Sequence, residues 1–580
     1  MANVNITING QKLQAESGKT VLEVARANSI DIPVLCYHPA LSPQGSCRLC
    51  LVEVEKQRAL QPACTFPISE GMVVQTESEK VQASRKFVLE LLFSERLHYC
   101  MYCPMSGGEA LTECELQAQA YRHGLTNWKY APNTSKRWPV DASRKYFLMD
   151  HSRCILCRRC IRACDEIVAN HTLGVRDRGT RTMIIADGDV PFGESSCVSC
   201  GTCLQVCPTG ALIDRRSAYM GLQTEVERTK STCMACPVGC GIEAATRSNQ
   251  LLRVEGDWDA HNGGLLCVDG RFAVVEPPTD RITVPMMRRD GELVKASWDE
   301  AATAIAQRLQ STGPAAGLAS PRLPSESLSA FRRFFREVLG SDEVGLLYGE
   351  LPPVDVGPFA TLPELSAADG ILLVGGAPLH DQKVVGYTIK RAVDQGTTLI
   401  VVNDTPTDLD PYATKSLKVA DLAQATTALA PSERLVVVYA PGLAPEVYAS
   451  LRNLPAKTRF LPLIQGTNTA GAARVGLTVR AVQGAGLFVM AGDDATDGRS
   501  LPAAEFTVVQ AAYRSAWTEA ADVVLPSRTW SERSGHIVNI EGRELPVVAF
   551  LEAPKGIKTD AATLDLLADR VVRPMREAAR

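Results

Sequence analysis

Beyond Cys267 the chain has no cysteine, although it runs on to Arg580 and has 19 cysteines in all. That absence excludes a thiolate metal ligand from the second half and crowds every thiol between Cys36 and Cys267. An odd number also argues against a disulfide framework, which consumes thiols in pairs. The opening residues MANVNITING have neither a basic stretch nor an apolar core, so no secretory signal is expected. No apolar run approaches the roughly 18 residues of a membrane helix, so direct membrane insertion is not expected. The net charge of −4 and pI near 6.1 leave no electropositive footprint for nucleic acid or anionic lipid. Neither G-x-x-x-x-G-K-[ST] nor a complete G-x-G-x-x-G is present, so nothing recognisable binds NADH or flavin. The expectation is a soluble, cytoplasmic chain of about three to five domains, able to reach the inner face of a membrane only through partners.

What is present centres on Cys154 to Cys207. It reads CILCRRCIRAC and, after a gap, CVSCGTCLQVCP. Each half is a C-x2-C-x2-C-x3-C run, the ligand spacing of a bacterial two-cluster ferredoxin. Three thiolates of a run reach three corners of one cubane, and the fourth closes the opposite cluster. Cys154, Cys157, Cys160 and Cys207 are therefore expected on one 4Fe–4S cluster, and Cys197, Cys200, Cys203 and Cys164 on the other. A pair of zinc sites is the competing reading, but zinc usually takes two CxxC pairs, or Cys with His, at one site. Arg158, Arg159 and Arg162 lie among the first ligands. They would offset thiolate charge, raise the reduction potential, or both.

Upstream, Val4, Ile6 and Ile8 alternate before Asn9-Gly10, a hairpin signal with a type I′ turn. Thr20 and Glu23 form a capping-box pattern ahead of a helix from Val21 to Asn28. Cys36, Cys47, Cys50 and Cys64 follow as C-x10-C-x2-C-x13-C, with Ser42, Gly45 and Ser46 small enough to bring backbone N–H groups near sulfur. Hairpin, helix and cysteine loop together resemble the β-grasp 2Fe–2S domain that opens the large peripheral iron–sulfur subunit of respiratory NADH dehydrogenases. The spacing exceeds the plant-ferredoxin C-x4-C-x2-C, and one zinc site is the alternative. Glu79 to Arg96 is expected to be an amphipathic helix burying Phe87, Val88, Leu91 and Leu92.

That helix leads to HYCMYC and then TECELQ (Thr112 to Gln117). His98, Cys100, Cys103 and Cys114 resemble the one-His, three-Cys cluster motif of the same subunit, its hydrogenase relatives and some NAD-linked formate dehydrogenases. Here one residue, not the usual three, separates His98 from the first Cys, and the gap from Cys103 to Cys114 is longer than usual. A lone His is often a satisfied core or surface residue. As a ligand, an imidazole in place of a thiolate removes a negative charge and should raise the cluster potential, as in Rieske centres. Tyr121 to Tyr146, with Pro132 and Pro139, reads as a loop-rich connector.

A fifth motif, Cys233, Cys236, Cys240 and Cys267, has the spacing C-x2-C-x3-C-x26-C. With DRITVPMMR (Asp280 to Arg288) and WDEA (Trp298 to Ala301), it resembles the N-terminal 4Fe–4S domain of the molybdopterin oxidoreductase superfamily. All 19 cysteines then have a place. From about residue 290 apolar segments such as Ala368–Leu379, Gly396–Asp404 and Glu433–Gly442 alternate with helical stretches such as Lys383–Asp394, which reads as parallel βαβ architecture. These segments, GTNTAGA (Gly466 to Ala472) and Ala521 to Arg543 resemble the superfamily's pterin-binding domains in the form found in complex I. That superfamily follows its last cluster Cys with x-Lys-Gly, whereas here Asp269 precedes Gly270. An acid facing anionic pterin phosphates is unfavourable, and no Cys is left for the metal, so no molybdopterin is expected. The Gly375-Gly376 turn reads as a plain strand–helix turn.

The chain is thus identified as a member of the NADH-quinone oxidoreductase-G family, the large iron–sulfur subunits of complex I, shared with NAD-linked hydrogenases and formate dehydrogenases. The resemblance implies an α+β N-terminal half followed by an α/β Rossmann-like half. In order these are a β-grasp 2Fe–2S domain (1–78), a one-His/three-Cys 4Fe–4S domain (79–120), a 2×4Fe–4S ferredoxin domain (145–216), a 4Fe–4S molybdopterin-oxidoreductase N-terminal domain (226–285) and a truncated molybdopterin-oxidoreductase-like domain (286–580). It implies one 2Fe–2S and four 4Fe–4S clusters relaying electrons inside an NAD(H)-linked oxidoreductase, with no substrate site on this chain. Implied partners are a flavin- and NAD(H)-binding subunit, a thioredoxin-like 2Fe–2S subunit, a hydrogenase or quinone-module subunit, and a ferredoxin. The alternatives are a molybdopterin-dependent, formate dehydrogenase-like catalytic subunit and a C-terminal half that is assembly scaffold only.

Overall fold

The structure, a computed structural model, describes residues 3–107, 113–127, 129–131, 133, 138–221, 225–276, 278–311, 313–494 and 498–578. Thr112 and Pro132, named above, lie outside these. The chain forms two compact units, Met1–Glu227 and Arg228–Arg580.

In the first unit, strands Asn3–Ile8 and Gln11–Glu16 pair antiparallel, Ile6 opposite Leu13. Asn9 and Gly10 between them have φ of 49° and 81°, the pair of positive values a type I′ turn requires. Asn3–Ile8 then pairs in parallel with Met72–Gln75, and the five-stranded sheet is completed by Leu51–Val54 and Gln61–Pro62. Helix Val21–Ala27 starts at the expected Thr20–Glu23 capping box, and its buried Val21, Leu22, Val24 and Ala25 pack with Ile6, Ile8, Val52 and Val74.

Helix Glu79–Glu95 is present, but its buried face is not the expected one. Val81, Arg85, Leu89 and Phe93 point inward, whereas Phe87 and Leu91 are 45% and 43% exposed. The cause is Arg85. Its guanidinium is buried, donating to Glu77 at 2.8 Å and to the Leu51 carbonyl at 3.4 Å, and this anchor turns the i, i+4 row through Leu89 toward the core. Leu89 and Phe93 then pack with Leu35, Leu49 and Leu116, with Val88 and Leu92 at the edge. The expected connector is not wholly irregular: it includes the end of helix Glu115–Arg122 and strand Val140–Asp141. That strand joins Phe147–Asp150 and Leu212–Asp214 in a three-stranded antiparallel sheet.

From the boundary residue Glu227 onward comes an antiparallel sheet of Glu227–Thr232, Gly241–Arg247 and Gln250–Gly256. Beyond it lie two parallel sheets. The first has seven strands in the order Glu292–Lys295, Met286–Arg289, Val523–Pro526, Phe506–Ala511, Gly486–Gly492, Ala315–Ala319, Val344–Leu346; its last five are parallel, and the outer hairpin is antiparallel. The second sheet lies in sequence between Val344–Leu346 and Gly486–Gly492. Its five parallel strands run Lys415–Leu417, Thr398–Val402, Gly370–Val374, Leu435–Tyr439, Arg459–Pro462. GILLV and LVVVY are buried along their whole length, as parallel strands covered on both faces must be. Helix Lys383–Asp394 spans the expected residues. Among the described residues no helix is long and apolar enough to cross a membrane.

Candidate metal centres

Among the described residues, no three His, Cys, Asp or Glu side chains converge on a single ion. The cysteines instead gather in five sets. In the first, Cys50 Sγ lies 3.4 Å from Cys64 Sγ, and the Cys36 amide donates to Cys47 Sγ at 3.4 Å. Hydrogen bonds from Cys47 and Cys64 hold Cys36 well below the ordinary thiol range, while that same bond to Cys36 raises Cys64. Cys36, Cys50 and Cys64 are buried; Leu41 and Leu49 on their loop are buried too.

The second set lines one cavity: His98, Cys100, Cys103 and Cys114, with Phe93, Arg153 and Gly210. Cys114 caps helix Glu115–Arg122, and burial pushes its thiol up to about 12. His98 is held by an edge contact with Phe93, ring centroids 5.2 Å apart, and its Nε2 lies 3.3 Å from the Leu92 carbonyl. A carbonyl only accepts, so Nε2 carries the proton and Nδ1 keeps its lone pair. Burial lowers the imidazole to about 4, so it is neutral near pH 7, the form that binds metal. Gly210 is required here, because a methyl at that position would collide with Cys103 Sγ.

The next eight cysteines sort into two sets that cross between runs. Cys157 is raised by burial and then by Cys207 and Cys154; Cys160 is raised by burial and by Cys157, Cys154 and Cys207. Cys164, by contrast, lines one cavity with Cys197, Cys200 and Cys203. Each run therefore sends its last cysteine to the other's site. The ligand loops turn through left-handed residues, Leu156 and Arg158 in the first (φ 55° and 58°) and Ser199 and Gly201 in the second (53° and 72°). Of the three arginines noted in the sequence, Arg158 is exposed, whereas Arg159 and Arg162 are buried. Arg162 donates to the carbonyls of Cys36 and Ser42, and so ties this loop to the first set. Arg159 and Arg162 each keep a buried Nε without a partner.

The fifth set, Cys233, Cys236, Cys240 and Cys267, is mutually close: burial and then the neighbouring thiols raise Cys240 and Cys236, and burial pushes Cys233 up to about 12. Gly270 fits closely, since a methyl there would sit 3.0 Å from Cys233 Sγ. Asp269 does not stand alone as an acid. It pairs with Lys383, at the start of helix Lys383–Asp394, and its Oδ2 lies 3.8 Å from Cys267 Sγ. Sequence reading missed Lys383 because it lies 114 residues from Asp269.

The donor chemistry fits iron–sulfur clusters. Buried thiols resist ionisation in apolar surroundings, and a bound metal supplies the compensating charge. The unpartnered Nε–H groups of Arg159 and Arg162 are donors of the kind cluster sulfur accepts. The molybdopterin cofactor of the tail half's fold is a different case. Strand order reverses between Ala315–Ala319 and Gly486–Gly492, where α/β sheets bind ligands. There Ser320 and Tyr348 donate to Asp494 at 2.5 and 2.6 Å, and both Arg322 and Arg533 lie on Asp493, at 3.6 and 3.2 Å. Both guanidinium groups have a carboxylate nearby, Arg533 engaged by Asp493 and Asp560, while Arg322 also keeps a buried Nε–H without a partner. The Gly375-Gly376 turn is packed, with a Gly376 methyl falling 2.6 Å from Leu463 Cδ1.

Five family models match in sequence. Residues 1–79 match a 2Fe-2S iron-sulfur cluster binding domain, 85–128 the NADH-ubiquinone oxidoreductase-G iron-sulfur binding region, and 153–211 a 4Fe-4S dicluster domain. Residues 226–275 match the molybdopterin oxidoreductase Fe4S4 domain, and 281–431 with 442–570 match molybdopterin oxidoreductase. The chain is 34% identical to an NADH-quinone oxidoreductase-G protein of Rhizobium meliloti over 78% of its own length and 54% of that protein's. It is 31% identical to the NADPH-Fe(3+) oxidoreductase subunit alpha of Geobacter sulfurreducens, over 72% of this chain and 50% of that one. With NADH-quinone oxidoreductase subunit 3 of Thermus thermophilus it shares 27% identity over 94% and 80%. A chain of the NAD+-reducing [NiFe]-hydrogenase crystal structure is 33% identical over 38% of this chain and 91% of that one, with a TM-score of 0.35. The chain spans about half the length of the first two relatives. By its matches to NADH-quinone oxidoreductase subunits G and 3 and the order of its iron–sulfur and molybdopterin oxidoreductase domains, the chain is a homologue of the NADH-quinone oxidoreductase-G iron–sulfur subunits.

Proposed function

We propose that the chain is the iron–sulfur wire of an NAD(H)-linked oxidoreductase complex. It holds one 2Fe–2S cluster on Cys36, Cys47, Cys50 and Cys64, and four 4Fe–4S clusters. The 4Fe–4S ligands are His98 with Cys100, Cys103 and Cys114; Cys154, Cys157 and Cys160 with Cys207; Cys197, Cys200 and Cys203 with Cys164; and Cys233, Cys236 and Cys240 with Cys267. The observation that carries this reading is the crossing of Cys164 and Cys207 between the two runs, which a pair of independent zinc sites would not need. The domain boundaries inferred from the sequence stand with it, the N-terminal one as a β-grasp. The clusters supply one-electron redox chemistry. The chain's part is to hold them apart from water and to set the charge and hydrogen bonding around each.

A flavin-bearing partner exchanges hydride with NAD(H) and feeds single electrons in, because hydride chemistry must be split before clusters can carry it. A thioredoxin-like 2Fe–2S subunit and a hydrogenase, quinone-module or ferredoxin partner complete the circuit. The tail half serves as scaffold.

Metal analysis with low-temperature EPR on the anaerobically purified full chain tests this. About 18 iron atoms per chain and no molybdenum or tungsten is the expected result. Stoichiometric molybdenum or tungsten would overturn the reading of the tail half, and zinc in place of iron would overturn the wire.

A further inference from the structure

Arg159 lies in the first ferredoxin run between Cys157 and Cys160, and its side chain is 3% exposed. It forms a two-pronged ion pair with Glu115, Nη1 to Oε1 at 2.6 Å and Nη2 to Oε2 at 2.8 Å. Glu115 directly follows Cys114, so the pair joins the ligand loops of two different sites. The backbone repeats the link, since the Glu115 amide donates to the Pro208 carbonyl at 2.9 Å, next to Cys207. Burial opposes the guanidinium's charge, while Glu115 and, less strongly, the nearby Cys157 and Cys207 favour it. Charge matching alone would not need a buried, bidentate arginine at this point; a lysine would supply the charge without the fixed fork.

We propose that the Arg159–Glu115 pair is the electrostatic bridge between the cubane site of Cys154, Cys157, Cys160 and Cys207 and the His98, Cys100, Cys103, Cys114 site. It fixes their spacing and sets the difference between their potentials. The proposal rests on the cluster assignment above. If one electron passed from one site to the other, the donor site would become one unit less negative and the acceptor one unit more negative. Arg159 stabilises that charge on the cubane side, and Glu115 opposes it beside Cys114. Both are positioning residues that act through the clusters.

The test is an EPR-monitored redox titration of the anaerobically loaded full chain, with dithionite as reductant and iron content measured for each variant. In Arg159→Met, the oxidised-to-reduced ratio of the cubane at its wild-type midpoint rises about tenfold, a fall of about 59 mV for a one-electron couple. In Glu115→Gln, which keeps the shape, the ratio at the His98 site moves the other way by a similar factor. Arg159→Lys, which keeps the charge, returns most of the wild-type potential. A structural role alone would lower iron content in both variants and give no opposed shifts. Fully loaded variants with unshifted potentials, or shifts of the same sign, overturn the proposal. Should Arg159→Met fail to load, Glu115→Gln and Arg159→Lys decide. A wild-type chain lacking the two signals overturns the assignment, and the bridge with it.

Discussion

A neutral imidazole buried beside three thiols has one nitrogen to spare, and in His98 the Leu92 carbonyl determines which. Nε2 is spent on that carbonyl, and Nδ1 keeps the lone pair that a metal would take. His98→Ala should cost this site its iron, about 4 of the 18 atoms per chain. His98→Cys should keep the iron but lower the site's midpoint potential, because a thiolate adds the negative charge that an imidazole omits. Iron analysis and EPR titration read both outcomes, and a His98→Ala chain with full iron and an unchanged signal would remove His98 from the ligand set. The same logic of charge applies at Cys267. Lys383 and Asp269 form a pair beside that thiol, so removing either member leaves the other's charge uncompensated. Lys383→Met should shift the fifth cluster to lower potential and Asp269→Asn to higher potential, with the other four signals unmoved.

At the scale of elements, helix Glu79–Glu95 shows where sequence reading stops. Its extent was legible from helical apolar spacing, and the structure adds Ser78 as its N-cap. Its inward face was not, because that face is set by Arg85, and hydrophobic periodicity gives a charged residue to solvent. Leu89→Ala should therefore cost about 2–5 kcal/mol, as a buried leucine does. Phe87→Ala should cost less than about 1.5 kcal/mol, chiefly its edge contact with Tyr130. Chemical denaturation of the two variants compares them directly, and equal costs would restore the face read from the sequence. The grouping of the cysteines was more legible than the helix face, since spacing within a run is local and short. Lys383 and the Arg159–Glu115 pair were not, since each joins segments far apart in sequence, and only folding brings them together. The parallel strands were legible one by one as apolar runs. Their division into two sheets was not, because a run buried on both faces carries no sign of which sheet it joins.

Across the whole molecule, the two units are held by different physics. The cysteine-free part of the second unit has large apolar cores, such as that of Phe331, Phe335, Phe488 and Met490 and that of Leu372, Val437, Tyr439 and Phe460. Its stability comes from burial along continuous parallel strands. The first unit instead folds its middle around loops whose buried side chains are thiols and arginines, groups that are costly to bury without charge to match them. With the clusters proposed above, metal binding there would be folding free energy, because the thiols would ionise only when iron compensates them. Removing iron anaerobically with a chelator should therefore release amide protection in 97–107 and 151–207, while Gly370–Val374, Leu435–Tyr439 and Gly486–Gly492 remain protected. In the second unit the loss should stay local to the loop carrying Cys233, Cys236 and Cys240. Hydrogen exchange on the holo and stripped chains measures this segment by segment. If the parallel strands lost protection together with the cysteine loops, the second unit would depend on the clusters for its own fold. Its scaffold role would then have to be exchanged for one in which the clusters organise the entire chain.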